Sequence, residues 1–201
     1  NFFNMELTTE KKLKNDNVIN ILKDAINKKR IISFEYELNG NIKYQKEIKP
    51  YKILFMNDNY YLTAEVNNDY KYSMFRINNI SNVNIENYEF EFDYDLLDFI
   101  INIQTPFAKY QENYKEHLIK IIVEVNKSKT KFFETKKFLP SQEIIDKLDN
   151  GNYIISFEVT QELEIEDIVK KWIPYIKIIE PLTLKDKIVK DLKIYLENQL
   201  D

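Results

Sequence analysis

The hydrophobic positions change period along the chain, and each change marks a change of element. Val18, Ile21, Leu22, Ala25 and Ile26 recur at helical spacing. They predict an amphipathic helix over about residues 17–30, with Lys28-Lys29-Arg30 at its C-terminal end, where cations suit the helix dipole. The period then falls to two: Ile32, Phe34 and Tyr36 alternate with Ser33 and Glu35, as in a half-buried strand. Asn39-Gly40 supplies a hairpin turn, and a return strand is expected over about 42–49, stopping at Pro50. Further strands are expected over about 51–56, 60–66, 71–77 and 80–86, with Asn57-Asp58-Asn59 as a turn. One helix followed by short, meandering strands implies a small, strongly bent antiparallel sheet or barrel. Residues 1–17, polar and lysine-rich around Thr8-Thr9-Glu10, read as a frayed lead-in or short helix.

The texture shifts after Phe92. A short helix is expected over about 93–103 and a polar connection containing Pro106 over 104–117, so that 93–117 forms a linker. A strand over about 118–125, a helix over 129–138 and strands at 142–148 and 152–159 follow, the last two joined at Asn150-Gly151. Ile165, Ile168, Val169 and Trp172 mark a helix face, a strand over 175–180 ends at Pro181, and a last helix runs over 183–198. The βαββαβ order predicts a ferredoxin-like α+β domain over 118–201.

Composition excludes more chemistry than it suggests. The 201 residues contain 44% hydrophobic and 31% charged side chains, enough for a proper core under an ordinary polar surface. No apolar run is long enough to span a bilayer, no signal peptide opens the chain, and there is no cysteine. Cytoplasmic residence is therefore expected. The first residue is Asn1 rather than Met, so the chain is expected to be a piece of something longer. Both glycines, Gly40 and Gly151, sit in Asn-Gly turns, so neither a P-loop nor a dinucleotide loop can be written. His117 is the only histidine and lies in the polar linker without a nucleophile nearby. No catalytic residue, metal or cofactor is expected, and the chain is not expected to be an enzyme.

Charge and aromatic content sharpen the picture. Net charge is −4; residues 18–92 hold ten Lys and Arg against ten Asp and Glu, while residues 93–201 hold sixteen against twenty. A wide non-specific nucleic-acid surface shows a basic excess, so any such site here must be local. Glu162, Glu164, Glu166 and Asp167 read as the solvated first turn of a helix rather than a cation site. Among fourteen Tyr and thirteen Phe, most strand rings are expected to fill a core, Phe34 and Phe55 among them.

Residues 18–92 resemble the WYL domain, named for a Trp-Tyr-Leu tripeptide that reads Tyr60-Tyr61-Leu62 here. The features that carry the resemblance fall in order: Ala25-Ile26 with Arg30, then Ile32, Phe34 and Tyr36, then Lys46 four before Pro50, and Phe75-Arg76-Ile77 with Ile80. Residues 118–198 resemble the C-terminal extension that often follows this domain, through Trp172 and Ile179-Glu180-Pro181 before the last helix. The resemblance implies an Sm/SH3-like barrel with an N-terminal helix, then a ferredoxin-like domain. It also implies a dimeric transcription regulator carrying a fused or upstream helix-turn-helix.

The family's barrel presents a small polar and basic pocket. Carried over, that pocket would use Ser33, Tyr36, Lys46 and Arg76 to bind single-stranded nucleic acid or an oligonucleotide-type effector. Ser33 points opposite Phe34 and is expected to face solvent. Arg76 offers a bidentate fork for phosphate and Lys46 a compact charge. Two positions depart from the family pattern: Gln45-Lys46 stands for a His-Arg pair, and Asn79 for a second arginine. Fewer positive groups imply weaker phosphate binding or a different ligand. A protein-interaction scaffold that has lost its ligand is the rival expectation.

Overall fold

A computed structural model describes residues 9–200, with side chains from Asp16 onward; residues 1–8 of the expected lead-in, Thr8 included, lie outside the described residues, and residues 9–17 belong to the first helix. The chain forms two compact units: one reaches Ile103 and includes Tyr110–Glu112, and the other takes Gln104–Lys109 and Asn113 onward. The fold is α+β with antiparallel sheets and an N-terminal helix, and no helix among the described residues is long and apolar enough to cross a membrane.

Helix α1 (Thr9–Asn27) opens the first unit and buries Val18, Leu22 and Ala25 on its apolar stripe. It ends three residues earlier than its periodicity predicts, because Lys29 turns the backbone left-handed (φ 50°) and Arg30 already begins a strand. Five strands follow: β1 (Arg30–Leu38), β2 (Asn41–Met56), β3 (Asn59–Glu65), β4 (Tyr72–Arg76) and β5 (Ile80–Glu89). Their order is β4-β3-β2-β1-β5, with every neighbouring pair antiparallel.

The strands form the antiparallel sheet expected: after the 3₁₀ turn Ile77–Asn79, β5 pairs with β1 and none of its residues pairs with β4. Two sequence expectations change here. Pro50 does not end a strand. It sits inside the sixteen-residue β2, just after β1 is left behind (last pair Ile32 with Ile48) and β3 takes over (first pair Lys49 with Glu65). The register shifts between Pro50 and Lys52, so the missing N–H falls at an irregularity where proline is tolerated. Phe55 is not core. It lies beyond the buried part of β2, 60% exposed, against the ring of Tyr60 at 4.9 Å. The core is Leu22, Ile32, Phe34, Leu62, Ile77 and Ile80, all under 3% exposed, with Phe34 edge-to-face on Phe75.

The second unit runs β6 (Ile119–Val125), α3 (Thr130–Thr135), β7 (Glu143–Lys147), β8 (Tyr153–Val159), α4 (Leu163–Trp172), β9 (Ile176–Glu180) and α5 (Leu182–Leu200). The antiparallel order β7-β8-β6-β9 is the arrangement of a split βαβ pair, as the βαββαβ pattern predicts. Helix α3 is shorter than expected for a local reason. Buried Gln142 donates to the carbonyls of Phe133 (2.8 Å) and Lys136 (3.3 Å) and accepts from the Phe138 N–H (3.0 Å), replacing the next helical turn. The acidic start of α4 is not the solvated turn expected. Glu164 is buried and accepts from the Thr160 N–H (2.8 Å), the Thr160 hydroxyl (2.6 Å) and the Thr105 hydroxyl (2.8 Å). Glu166, also buried, pairs with Lys170 and Lys187.

Phe34→Ala removes a fully buried ring at the centre of the first core. The loss should be about 3–5 kcal/mol, measured by urea unfolding followed by circular dichroism.

Candidate ligand-binding cleft

Strand β1 is clasped by two neighbours that each carry extra residues. On the β2 side the pairing passes from Ile32 with Ile48 to Phe34 with Gln45, so Lys46 and Glu47 together oppose Ser33. On the β5 side Arg30 pairs with Glu89 and Ile32 with Ile85, leaving Glu86, Asn87 and Tyr88 opposite Ile31. A second irregularity puts Asn82 and Val83 opposite Phe34. Bulges of this kind bend a strand and re-aim its side chains. Here they open a cleft of about 1040 Å³ into which Lys46, Glu47, Glu86 and Tyr88 all contribute. Glu47 takes the left-handed conformation at its bulge (φ 58°), as does Lys71 (φ 56°) on the opposite wall.

Ser33 belongs to the cleft lining but is 2% exposed, against the expectation of a solvent-facing hydroxyl. It donates to the Glu86 carboxylate at 2.8 Å. Tyr44 and Tyr88 stand in the lining with their rings largely in solvent, 56% and 71% exposed.

The far wall is a network of committed charges. Lys49 donates to Glu65 at 2.6 Å, and the Tyr51 hydroxyl donates to the other Glu65 oxygen at 2.8 Å while accepting the Asp93 N–H at 2.8 Å. Lys71 pairs with Asp93, whose other carboxylate oxygen caps helix α2 (Tyr94–Ile101) through the N–H groups of Asp95 and Leu96. Burial pushes the Tyr51 phenol up, with the Glu65 carboxylate adding to the effect. The hydrogen bond from Lys71 holds the Asp93 carboxyl below its ordinary value, and the same contact raises Lys71. Two of the three lysines in the lining are therefore neutralised. Lys46 is the third, exposed, and among the described residues it forms no ion pair.

The four sequence-predicted residues fall in two places. Ser33 and Lys46 line the cleft together. Tyr36 and Arg76 meet each other instead: the Tyr36 ring packs edge-to-face on Phe75 at 5.2 Å, and its hydroxyl accepts the Arg76 N–H at 3.3 Å. The exposed Arg76 guanidinium reaches the side chain of Asn59, and neither Tyr36 nor Arg76 is in the cleft lining. Sequence reasoning did not single out Tyr44, Glu86 and Tyr88, because their place depends on bulges that leave no local signature. Among the described residues no group of three or more His, Cys, Asp or Glu could hold a metal ion, and His117 is exposed.

The Lys71–Asp93 pair sets a pH dependence. A folded-state value below the unfolded one means that its stabilisation is complete above about pH 4 and fades as pH falls through the lowered value. Asp93→Asn keeps the cap and removes the charge. The gap in urea midpoint between wild type and Asp93→Asn should therefore be clear near neutrality and shrink in acid. A gap that does not change with pH would show that the pair contributes nothing through its charge.

Comparison with known proteins places this geometry in a family. The WYL domain family matches residues 17–85 and the WCX domain family residues 117–196. No curated protein matches the chain. Among solved structures, a CRISPR Cas-related protein shares the fold at TM-score 0.50 and 12% identity, over 94% of this chain and 53% of that one. Proteasome accessory factor B/C (PafBC) of Arthrobacter aurescens matches at TM-score 0.38 and 11% identity, over 90% of this chain and 26% of that one. The chain thus spans about half the length of the first and about a quarter of the second. With both domains matched in order and together covering most of its length, the chain belongs to the WYL domain-containing proteins.

Proposed function

We propose that the chain is the ligand-sensing module of a regulator, and that its cleft takes a nucleotide-type effector or the end of a short single strand. The observation that carries this reading is Lys46: a lysine without an acidic partner among the described residues, raised on a bulge in a cleft that also presents the rings of Tyr44 and Tyr88. A lone ammonium suits one phosphate, and an exposed ring suits the face of a base. The WYL assignment supports the same direction, since these domains occur in regulators.

Charge sets the size of the ligand. Glu47 and Glu86 line the same cleft as Lys46, while Glu89 there is paired with Arg30, so a long polyanion threaded through it meets more repulsion than attraction. A ligand with one or two phosphates avoids most of that cost. Within this proposal the bent sheet does the work expected of an Sm-like barrel, no bond is made or broken, and the protein acts in the cytoplasm as a homodimer. Ligand binding shifts the dimer between states by its differential affinity for them and passes the effect to a fused or upstream helix-turn-helix.

Fluorescence anisotropy with labelled mononucleotides and short single-stranded DNA and RNA tests the reading. Wild type should bind. Lys46→Glu should weaken binding by about tenfold or more, the scale of a lost charge-assisted hydrogen bond. Binding that is absent in wild type, or unchanged in Lys46→Glu, overturns the proposal and favours a protein-interaction scaffold. Loss confined to Arg76→Ala also overturns the cleft, by moving the site to the Arg76–Asn59 edge.

A further inference from the structure

The second unit carries a charge concentration that its overall balance hides. Residues 126–138 hold five lysines, Lys127, Lys129, Lys131, Lys136 and Lys137, against one acid, Glu134, in a half of the chain where acids outnumber bases twenty to sixteen. Glu134 is already engaged, accepting from Lys147 at 3.0 Å and from the Tyr153 hydroxyl at 2.7 Å. Lys171, at the end of α4, joins the group through the rings of Trp172 and Phe138. Among the described residues, neither Lys129, Lys136 nor Lys171 has an acidic partner.

These lysines are interleaved with rings. Lys129 Nζ lies 4.6 Å from the Tyr175 ring centre and 5.8 Å from that of Phe132. Phe132 packs 5.2 Å from Trp172, which lies 5.5 Å from Phe138. Lys171 sits 5.9 Å from both Trp172 and Phe138, and Lys136 5.6 Å from Phe138. These contacts trace one continuous path from Tyr175 through Lys129, Phe132, Trp172 and Lys171 to Phe138 and Lys136. Not all the rings are core: Phe133 is 2% exposed, but its neighbour Phe132 is 51% exposed and Tyr175 42%.

We propose that this lysine–aromatic path is a second binding site, for single-stranded nucleic acid. Two requirements define such a site, ring faces for unstacked bases and cations spaced along the backbone. Apart from the adjacent rings of Phe132 and Trp172, the path alternates the two, ring with charge, as a strand alternates base with phosphate. In the complex, lysines now held over ring faces turn to phosphate oxygens and bases take their places on Phe132 and Tyr175. A duplex cannot do this, because its base faces are already stacked. The site shares no residue with the cleft and does not depend on it.

The chain contains a reporter, since Trp172 is its only tryptophan and touches Phe132. Titration of the whole chain with an oligothymidylate of about ten nucleotides should change its tryptophan emission saturably, with weaker binding as salt rises. Phe132→Ala, at an exposed ring, and Lys129→Glu, at a half-buried lysine, should each lower affinity by about tenfold, whereas Lys46→Glu should leave this signal unchanged. The proposal is overturned by no response at low salt, by equal affinity for a duplex of the same length, or by unchanged affinity in both variants. Tighter binding to phosphatidylserine vesicles than to the oligonucleotide also overturns it, and assigns the patch to a membrane surface.

Discussion

The cleft exists because β1 cannot be matched residue for residue by either neighbour. Ile32 and Phe34 must both face the core, where they are fully buried. Keeping them there while β2 leaves β1 for β3 forces extra residues into the flanking strands. A plain two-residue alternation would send Lys46 and Glu47 to opposite faces; the bulge brings both to the cleft lining. The conformational cost is local. Glu47 holds a left-handed backbone that disfavours a residue with a Cβ by about 1–2 kcal/mol. The surrounding register over-determines it, so strain and ligand-facing geometry coincide, as they commonly do at functional sites.

The same geometry decides which charges remain available. Lysine count alone would make the cleft look basic, yet Lys49 and Lys71 are held by Glu65 and Asp93. Tyr51 ties these two acids together, since its hydroxyl donates to one and receives the backbone N–H of the other. Through Asp93 the network also fixes the start of α2. The wall is therefore rigid and nearly neutral, and Lys46 is what it leaves exposed. A site of this kind selects small ligands by shape and by one charged contact, rather than gathering anions at long range.

Much of this was legible in the residues, and the failures have a common cause. The Asn39-Gly40 and Asn150-Gly151 turns, the buried alternation of Ile32 with Phe34, and the βαββαβ order follow from short-range patterns, and the structure has them. What a short window cannot show is the partner across the sheet. Pro50 reads as a stop until β2 is seen to change neighbours between Ile48 and Lys49 and to continue through it. Phe55 reads as core until β2 is seen to run past its buried stretch, which leaves the ring exposed. Glu164 and Glu166 read as solvated until Thr105, fifty-nine residues away, and Lys187, twenty-one away, arrive to satisfy them. The four residues drawn from the family pattern divide for a simpler reason: Ser33 and Tyr36, three apart on β1, point to opposite faces of the sheet.

A net charge of −4 would by itself argue against any anionic ligand. That inference fails because charge acts over a screened distance of about 8–10 Å at physiological salt, so only the local arrangement is felt by a bound group. In the cleft, three lysines yield one uncommitted ammonium; around Phe132 and Trp172 the lysines sit against rings instead of acids and keep their charge. A π face steadies an ammonium without neutralising it, whereas a carboxylate does both. The pairing partner, more than the number of lysines, therefore determines what each surface can hold: a ligand with few phosphates in the cleft, and a strand with many along the path of rings.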